Sequence, residues 1–430
     1  MTSAQHLHFC IVSTFYPPYN FGGDGIYAYR LANSLARRGH RVTVLHSPTA
    51  YEFLAGKAPE KRYDDHPNVR VVGVETPFGR LGLLAVQQTG RPCFQRPALE
   101  RLLNQESYDV IHYNNVSLLG GPQVFLYGSG LKLCTLIEHW LVCPMHVLWK
   151  FDREVCTKPT CFRCTLHGKR PPQLWRYGSL MARATRAIDA FIGPSLFTMR
   201  MHRERGLQGT MVQLPLFHPE PEASPGAEGD VHERPYFLFV GRLEKIKGVQ
   251  AIIPVFRELT DVDLLIAGEG NYRSELERLA GGATNIKFVG RVHHAALQKL
   301  YRGAIATVIP SLCYETFGIV AVESFSASTP VVAYAQSSLE EIVRTHGGGL
   351  LYRAADELKG HIRRLQTDKA LRVRLAKEGR RAYETEFAEE PFVLNYLAVV
   401  RELLEQRHSK DPTHRATDVE KFLAGRPVFY

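Results

Sequence analysis

Short, almost wholly apolar runs alternate along the chain with longer stretches in which apolar residues recur every three or four positions. His8–Phe15 reads as a buried strand, Gly25–Arg38 as an amphipathic helix and Arg41–His46 as a second strand. Val69–Val74, Asp109–Tyr113, Leu133–Ile137 and Ala190–Ile192 continue the series as short strands. The rhythm stops between Phe217 and Pro235, a stretch rich in Pro, Glu, Gly and Ala. It restarts with Tyr236–Val240, Val262–Ala267, Ile286–Val289, Ala306–Ile309 and Pro330–Tyr334, each followed by a helical pattern. Two serial runs of β-α units predict an α/β protein of two doubly wound, Rossmann-like domains. The expected boundaries are 1–216, a linker over 217–235, and 236–410. Residues 357–405 read as one or two long charged helices broken near Ala388–Pro391. The tail 411–430 is polar and then apolar (Val428-Phe429-Tyr430), and is expected to pack back on the first domain. Ligands of such sheets bind at the carboxyl ends of the strands, so a cleft between the domains is the expected site.

Length agrees with two domains, because 430 residues exceed one ordinary core. An apolar share of 45% with 22% charged residues excludes disorder, collagen and coiled coil. No apolar run is long enough to span a bilayer, and the first residues carry no leader pattern. A cytoplasmic chain is therefore expected, with its eight cysteines reduced. Charge changes the picture more. The net +10 is carried by the first half: residues 1–215 hold 25 basic against 14 acidic residues, and 216–430 hold 28 against 29. Residues 150–205 alone carry 12 basic and 4 acidic, interleaved with Phe151, Trp175 and Tyr177. That block suits an anionic partner such as a membrane surface, peripherally bound at the inner face, or serves as a solvated surface. No nucleic-acid-binding signature accompanies it.

Three segments carry chemistry. Tyr16 to Gly25 joins the first strand to the first helix, and Gly22 and Gly23 permit backbone approach to an anion. It lacks both G-x-G-x-x-G spacing and a P-loop lysine, so neither a nicotinamide enzyme nor a kinase is supported. In the second half, Gly241-Arg242 and Lys247-Gly248 place two cations between a strand end and a helix start, an arrangement suited to a diphosphate. Glu315-Thr316-Phe317-Gly318-Ile319 then leads into a helix that carries Glu323. Its start offers free backbone N–H groups, and Glu323 sits among apolar neighbours where a carboxylate calls for a ligand such as a ribose diol.

Taken together, the Gly22-Gly23 loop, Arg37-Arg38-Gly39-His40-Arg41-Val42, Gly241-Arg242 with Lys247-Gly248, Ala267-Gly268-Glu269-Gly270, Phe288-Val289-Gly290 and the E-x7-E of Glu315 and Glu323 resemble glycosyltransferase family 4, the retaining GT-B enzymes. The resemblance implies a nucleotide diphosphate-sugar donor of UDP or GDP type and a glycan or lipid-linked acceptor, as in polysaccharide or lipopolysaccharide assembly. It implies Glu315 beside the transferred sugar and Glu323 on the ribose. Arg242 and Lys247 would hold the diphosphate, with backbone at Gly23 and Phe317–Gly318 completing the pocket and no metal needed for catalysis. A nucleotide-sugar epimerase or a catalytically silent nucleotide-sugar-binding subunit are the alternatives on the same scaffold. One segment departs from the family pattern. Where a His-Asp-Tyr-Trp motif often precedes Leu-x-Cys-Pro, this chain reads Ile137-Glu138-His139-Trp140-Leu141-Val142-Cys143-Pro144. His139 is the candidate substitute for the family histidine. Cys143, Cys156, Cys161 and Cys164, in a basic insertion at about 143–175, are either ligands of a structural zinc or four unlinked thiols, with His146 and His167 as substitute ligands.

Overall fold

In the computed structural model, which describes residues 6–59, 63–220 and 232–408, the two runs of apolar segments form two separate parallel sheets. The strands of the first run are β1 (His8–Val12), β2 (Arg41–His46), β3 (Val69–Gly73), β4 (Val110–Tyr113) and β5 (Leu131–Thr135). A small antiparallel hairpin follows, β6 (Trp149–Lys150) with β7 (Glu154–Val155), and then β8 (Ala190–Gly193) and β9 (Met211–Gln213). Without the hairpin, these strands lie in the order β3-β2-β1-β4-β5-β8-β9. The second run gives β10 (Tyr236–Val240), β11 (Asp263–Ala267), β12 (Ile286–Gly290), β13 (Thr307–Ile309), β14 (Val331–Tyr334) and β15 (Gly349–Tyr352), ordered β12-β11-β10-β13-β14-β15.

Parallel strands need crossovers, and helices on both faces bury them, which is why Phe9–Val12 and Phe237–Leu238 are sealed from solvent. Each sheet changes direction once, between β1 and β4 in the first and between β10 and β13 in the second. The crevice beyond the strand ends at such a point takes ligands. The loops there are 13–22 and 114–117 in the first unit, and 241–248 and 310–318 in the second. These contain the segments marked out by their chemistry.

The structure moves three domain boundaries. Among the described residues, the first unit comprises those up to His146, Pro159–Pro215 and 392–408, and the second comprises Val147–Lys158 and those between Leu216 and Pro391. The last helix, Glu389–His408, therefore belongs from Phe392 onward with the first sheet and not with the second. The cause is its apolar stripe. Phe392, Val393, Tyr396 and Val400 are buried, Tyr396 shares a 2.8 Å hydrogen bond with His112 of β4, and Phe392 meets the ring of Tyr27. Part of the cysteine-bearing insertion groups with the second unit, where Lys245 Nζ donates to the Asp152 carbonyl at 2.9 Å. The start of the expected linker is ordered into the second unit too: Phe217 and His218 are buried, and the His218 amide donates to Phe387 O at 2.9 Å. Residues 221–231 of the linker and the tail 411–430 lie outside the described residues. The charged helices resolve into Ala355–Thr367 and Lys369–Ala382, separated at Asp368, whose carboxylate caps the second by accepting from Leu371 N.

Buried histidines in the first unit predict a pH response. Burial lowers the pKa of His46 to about 4, of His112 to about 3 and of His202 to about 4, each from 6.5. The folded state keeps these rings neutral while the unfolded chain protonates them below about pH 6.5. Stability is therefore complete above that pH and falls as pH drops toward 4, by up to about 1.4 kcal/mol per pH unit for each ring. Melting temperature measured from pH 7.5 down to 4 should fall accordingly, and His112→Gln should flatten the slope.

Candidate active site

The second unit assembles most of the sequence-predicted residues at one place. Gly248 has φ 77° and caps the helix Val249–Arg257, and a Cβ there would lie 1.9 Å from the Pro310 carbonyl oxygen. Only glycine allows this approach, which locks the 241–248 loop against the 310–318 loop. Leu312 N donates to Ile246 O at 2.9 Å across the same contact. The result is an ion pair that the sequence spacing alone did not specify: Lys247 Nζ lies 2.6 Å from Glu315 Oε1, with the two side chains 23% and 19% exposed. Burial is the largest single influence and pulls the Lys247 ammonium down, but the charge of Glu315, the neighbouring Cys313 and the hydrogen bond to Glu315 together outweigh it, and the net displacement is upward. For Glu315 burial pushes upward, and the Lys247 charge and hydrogen bond, the Ser311 hydroxyl and Arg242 together carry it below the usual carboxylate range. Both groups are thus charged at neutral pH. Arg242 is 62% exposed, held to Glu244 at 2.7 Å, and close enough for its charge to act on both members of the pair.

Gly318, at φ 92°, caps the helix Ile319–Ser326, so the backbone of Thr316, Phe317, Gly318 and Ile319 turns from the Glu315 loop directly into a helix start. A helix start, whose first N–H groups have no partner within the helix, favours an anion through them and the positive end of the dipole. Gly241 closes β10, its amide donating to Ala267 O at 3.0 Å. Glu323 is the fifth residue of the helix and is not an isolated acid: Tyr301 Oη donates to its Oε2 at 2.9 Å, and His218 Nδ1 lies 4.0 Å from its Oε1. Several positioning side chains escaped the sequence reading. Ser311 Oγ donates to Glu315 Oε1 at 2.7 Å, Ser337 Oγ accepts from the Glu315 amide at 3.2 Å, and Ser338 Oγ donates to the Glu315 carbonyl at 2.9 Å. Ser337 and Ser338 follow β14, so their place beyond a strand's carboxyl end was the available signal. Tyr301 and His218 carried none, since they reach Glu323 from a distant helix and from the expected linker.

In the first unit, Gly22 and Gly23 open the helix Gly23–Arg37, and a Cβ on either would meet nothing within 4 Å, so their backbone is open to approach. Asp24, directly after them, was not anticipated. Its carboxylate accepts from Gly25 N at 2.8 Å and Asn115 Nδ2 at 3.1 Å, and burial followed by the nearby Glu138 charge raises its pKa. His139 is placed in the interior, 1% exposed and stacked on His202 at 5.3 Å. Its neighbour Glu138 pairs with His146 Nδ1 at 2.8 Å, and both of these side chains are partly exposed.

Cys143, Cys156, Cys161 and Cys164 are free thiols, and among the described residues no group of three or more His, Cys, Asp or Glu is close enough to hold a metal ion. The Arg176 guanidinium lies over the rings of both Trp140 (5.2 Å) and Trp175 (4.7 Å), and its charge acts on Cys143 and Cys161.

Two parallel-sheet α/β domains, with an anion-suited loop pair at the switch point of the second, define the GT-B architecture. The family model described as glycosyl transferases group 1 matches residues 222–382, and the glycosyl transferase 4-like domain matches 22–216. The chain belongs to the group 1, family 4-type glycosyltransferases. An uncharacterized glycosyltransferase of Methanocaldococcus jannaschii is 27% identical over 355 residues, covering 78% of this chain and 82% of the relative. Among solved structures, a sucrose-phosphate synthase from Thermosynechococcus elongatus matches with TM-score 0.71 and 22% identity, over 93% of this chain and all of that one. Alr3699/HepE of Anabaena, solved with UDP and glucose, matches with TM-score 0.65 and 16% identity, over 92% of this chain and all of that one.

Proposed function

We propose that this glycosyltransferase moves a sugar with retention from a nucleoside diphosphate donor, UDP first among the candidates, to a hydroxyl of a glycan or lipid-linked acceptor. The observation that carries the reading is the Lys247–Glu315 pair beside the Gly318-capped helix start, with Arg242 in electrostatic reach. In the reaction the bond from the sugar's anomeric carbon to the diphosphate oxygen breaks, and the acceptor oxygen bonds to that carbon on the same face. The acceptor's proton passes to the departing diphosphate, which leaves with the electron pair. Negative charge grows on that oxygen, and Lys247, Arg242 and the helix N–H groups are fixed in advance to meet it. Glu315 orients Lys247 and faces the sugar, and Glu323 with Tyr301 behind it receives the ribose hydroxyls. Two cations and a helix start make the step independent of a divalent ion. The solved UDP and glucose complex of Alr3699/HepE, a protein of the same fold, supports UDP as the first donor to try.

The test is a melting series with UDP, GDP, ADP and CMP, followed by anomer-resolved NMR of the product. UDP at 100 times its dissociation constant should stabilise by about 2.7 kcal/mol. The product should keep the donor's anomeric configuration, and EDTA should leave the rate unchanged. An inverted product, or activity that EDTA abolishes, would overturn the mechanism.

A further inference from the structure

The first unit carries a face whose chemistry the transfer reaction does not use. Phe78, Leu81, Leu84, Phe94, Leu174 and Tyr177 stand out of it, with exposures from 46% (Leu84) to 71% (Phe78). They come from separate stretches of sequence and form one surface. The Phe78 and Phe94 rings meet edge to face at 4.9 Å. The helix Arg80–Thr89 is bound to the turn Leu174–Tyr177 through Trp175 Nε1, which donates to Gln87 O at 2.9 Å, and Gln87 Nε2 reaches Pro171 O at 3.4 Å. On that helix Gly82, Leu83 and Val86 face the core, so Leu81 and Leu84 are apolar residues left on the outside.

The segments that carry these side chains are rich in cations. Residues 76–101 hold four arginines and one acid, and 168–187 hold five cations and no acid. Arg91, Lys169 and Arg170 are exposed and have no ion-pair partner among the described residues. A protein partner would call for a continuous apolar centre with a mixed polar rim. Here single apolar side chains project from turns and one helix face, with positive charge between them and almost no negative charge. That is the composition of a surface that rests on lipid, with apolar tips in the headgroup–acyl boundary and cations among the phosphates.

We propose that this face docks on the surface of an anionic bilayer, inserting Phe78, Leu81, Leu84 and Leu174. The inference locates the membrane contact of the lipid-linked acceptor proposed above and rests on that reading for its purpose, but it is measured without turnover. The experiment is flotation of the full chain with phosphatidylcholine vesicles, with and without phosphatidylglycerol. Binding is expected only with the anionic lipid and should weaken with salt. Phe78→Ser/Leu81→Ser/Leu84→Ser should reduce partitioning about tenfold or more. Arg91→Gln/Lys169→Gln/Arg170→Gln should reduce it about a hundredfold. Val373→Ser, an exposed apolar position of the second unit, should change nothing. Wild-type protein that ignores anionic vesicles, or an apolar triple variant that floats as well as wild type, would overturn the proposal. So would a wild-type dimer that the same variant dissolves, since the face would then be a contact between copies. UDP-induced stabilisation measured on the same samples keeps the readings apart: lost flotation with intact UDP binding removes the docking face and leaves the donor site standing.

Discussion

Lys247→Ala is expected to lower the rate constant of sugar transfer by about 10²–10³-fold and to abolish stabilisation by nucleoside diphosphate. The substitution does two things at one site. It removes a cation 2.6 Å from Glu315, and it leaves that carboxylate, whose backbone is tied to Ser337 and Ser338, without its main counter-charge. A diphosphate then meets a negative group where it met a neutral pair. Because Lys247 is the largest influence holding Glu315 below the usual carboxylate range, the acid limb of the pH–rate profile should also move to higher pH in the variant. Lys247→Arg should recover only part of the activity, since a planar fork does not replace a point charge at a site shaped for an ammonium. A cycle with Glu315→Gln separates the contributions: the double variant should lose clearly less than the sum of the singles if the pair acts as a unit. Steady-state kinetics with the donor identified by the melting series provides the measurement. A change below about threefold in Lys247→Ala would remove the residue from the machinery.

The second large effect concerns the fold. Tyr396→Ala should destabilise the first unit by about 3–5 kcal/mol, and Tyr396→Phe by about 1–3 kcal/mol. Tyr396 is fully buried, stacked with Phe392 at 6.1 Å and near Phe9 at 6.2 Å. Its hydroxyl serves His112, whose other ring nitrogen is bonded to Thr135 of β5 at 2.8 Å. Truncation to alanine opens a cavity beside the central strand and orphans a neutral, buried imidazole. Phenylalanine keeps the packing and removes only the hydrogen bond. Urea unfolding followed by a probe in each unit is the measurement. The transition of the first unit should shift and that of the second should hold. Equal shifts in both would mean that the last helix does not belong with the first sheet alone.

The strands and most helices were legible because burial on both faces of a parallel sheet writes near-continuous apolar runs into the chain, and His8–Val12 and Tyr236–Val240 stand where those runs lie. Weakly apolar elements were harder. Gly349–Tyr352 and Met211–Gln213 are short edge strands, and the hairpin Trp149–Lys150 with Glu154–Val155 lies inside a charged insertion, so none shows a distinctive period. The residue types of the site were legible too, since glycines, cations and acids at strand ends carry a chemical meaning that spacing preserves.

The sequence by itself determined two doubly wound domains and the segments at their switch points, because periodicity and turn chemistry are local properties. The tertiary structure alone decided which groups meet. It paired Lys247 with Glu315, set Tyr301 and His218 behind Glu323, buried His139 against His202, and placed Arg176 against thiols whose spacing had suggested a metal. It also returned the last helix to the first sheet through Tyr396 and His112. These contacts join residues from 15 to 284 positions apart, where a hydrogen bond or ion pair depends on side-chain direction and packing. A one-dimensional pattern carries neither.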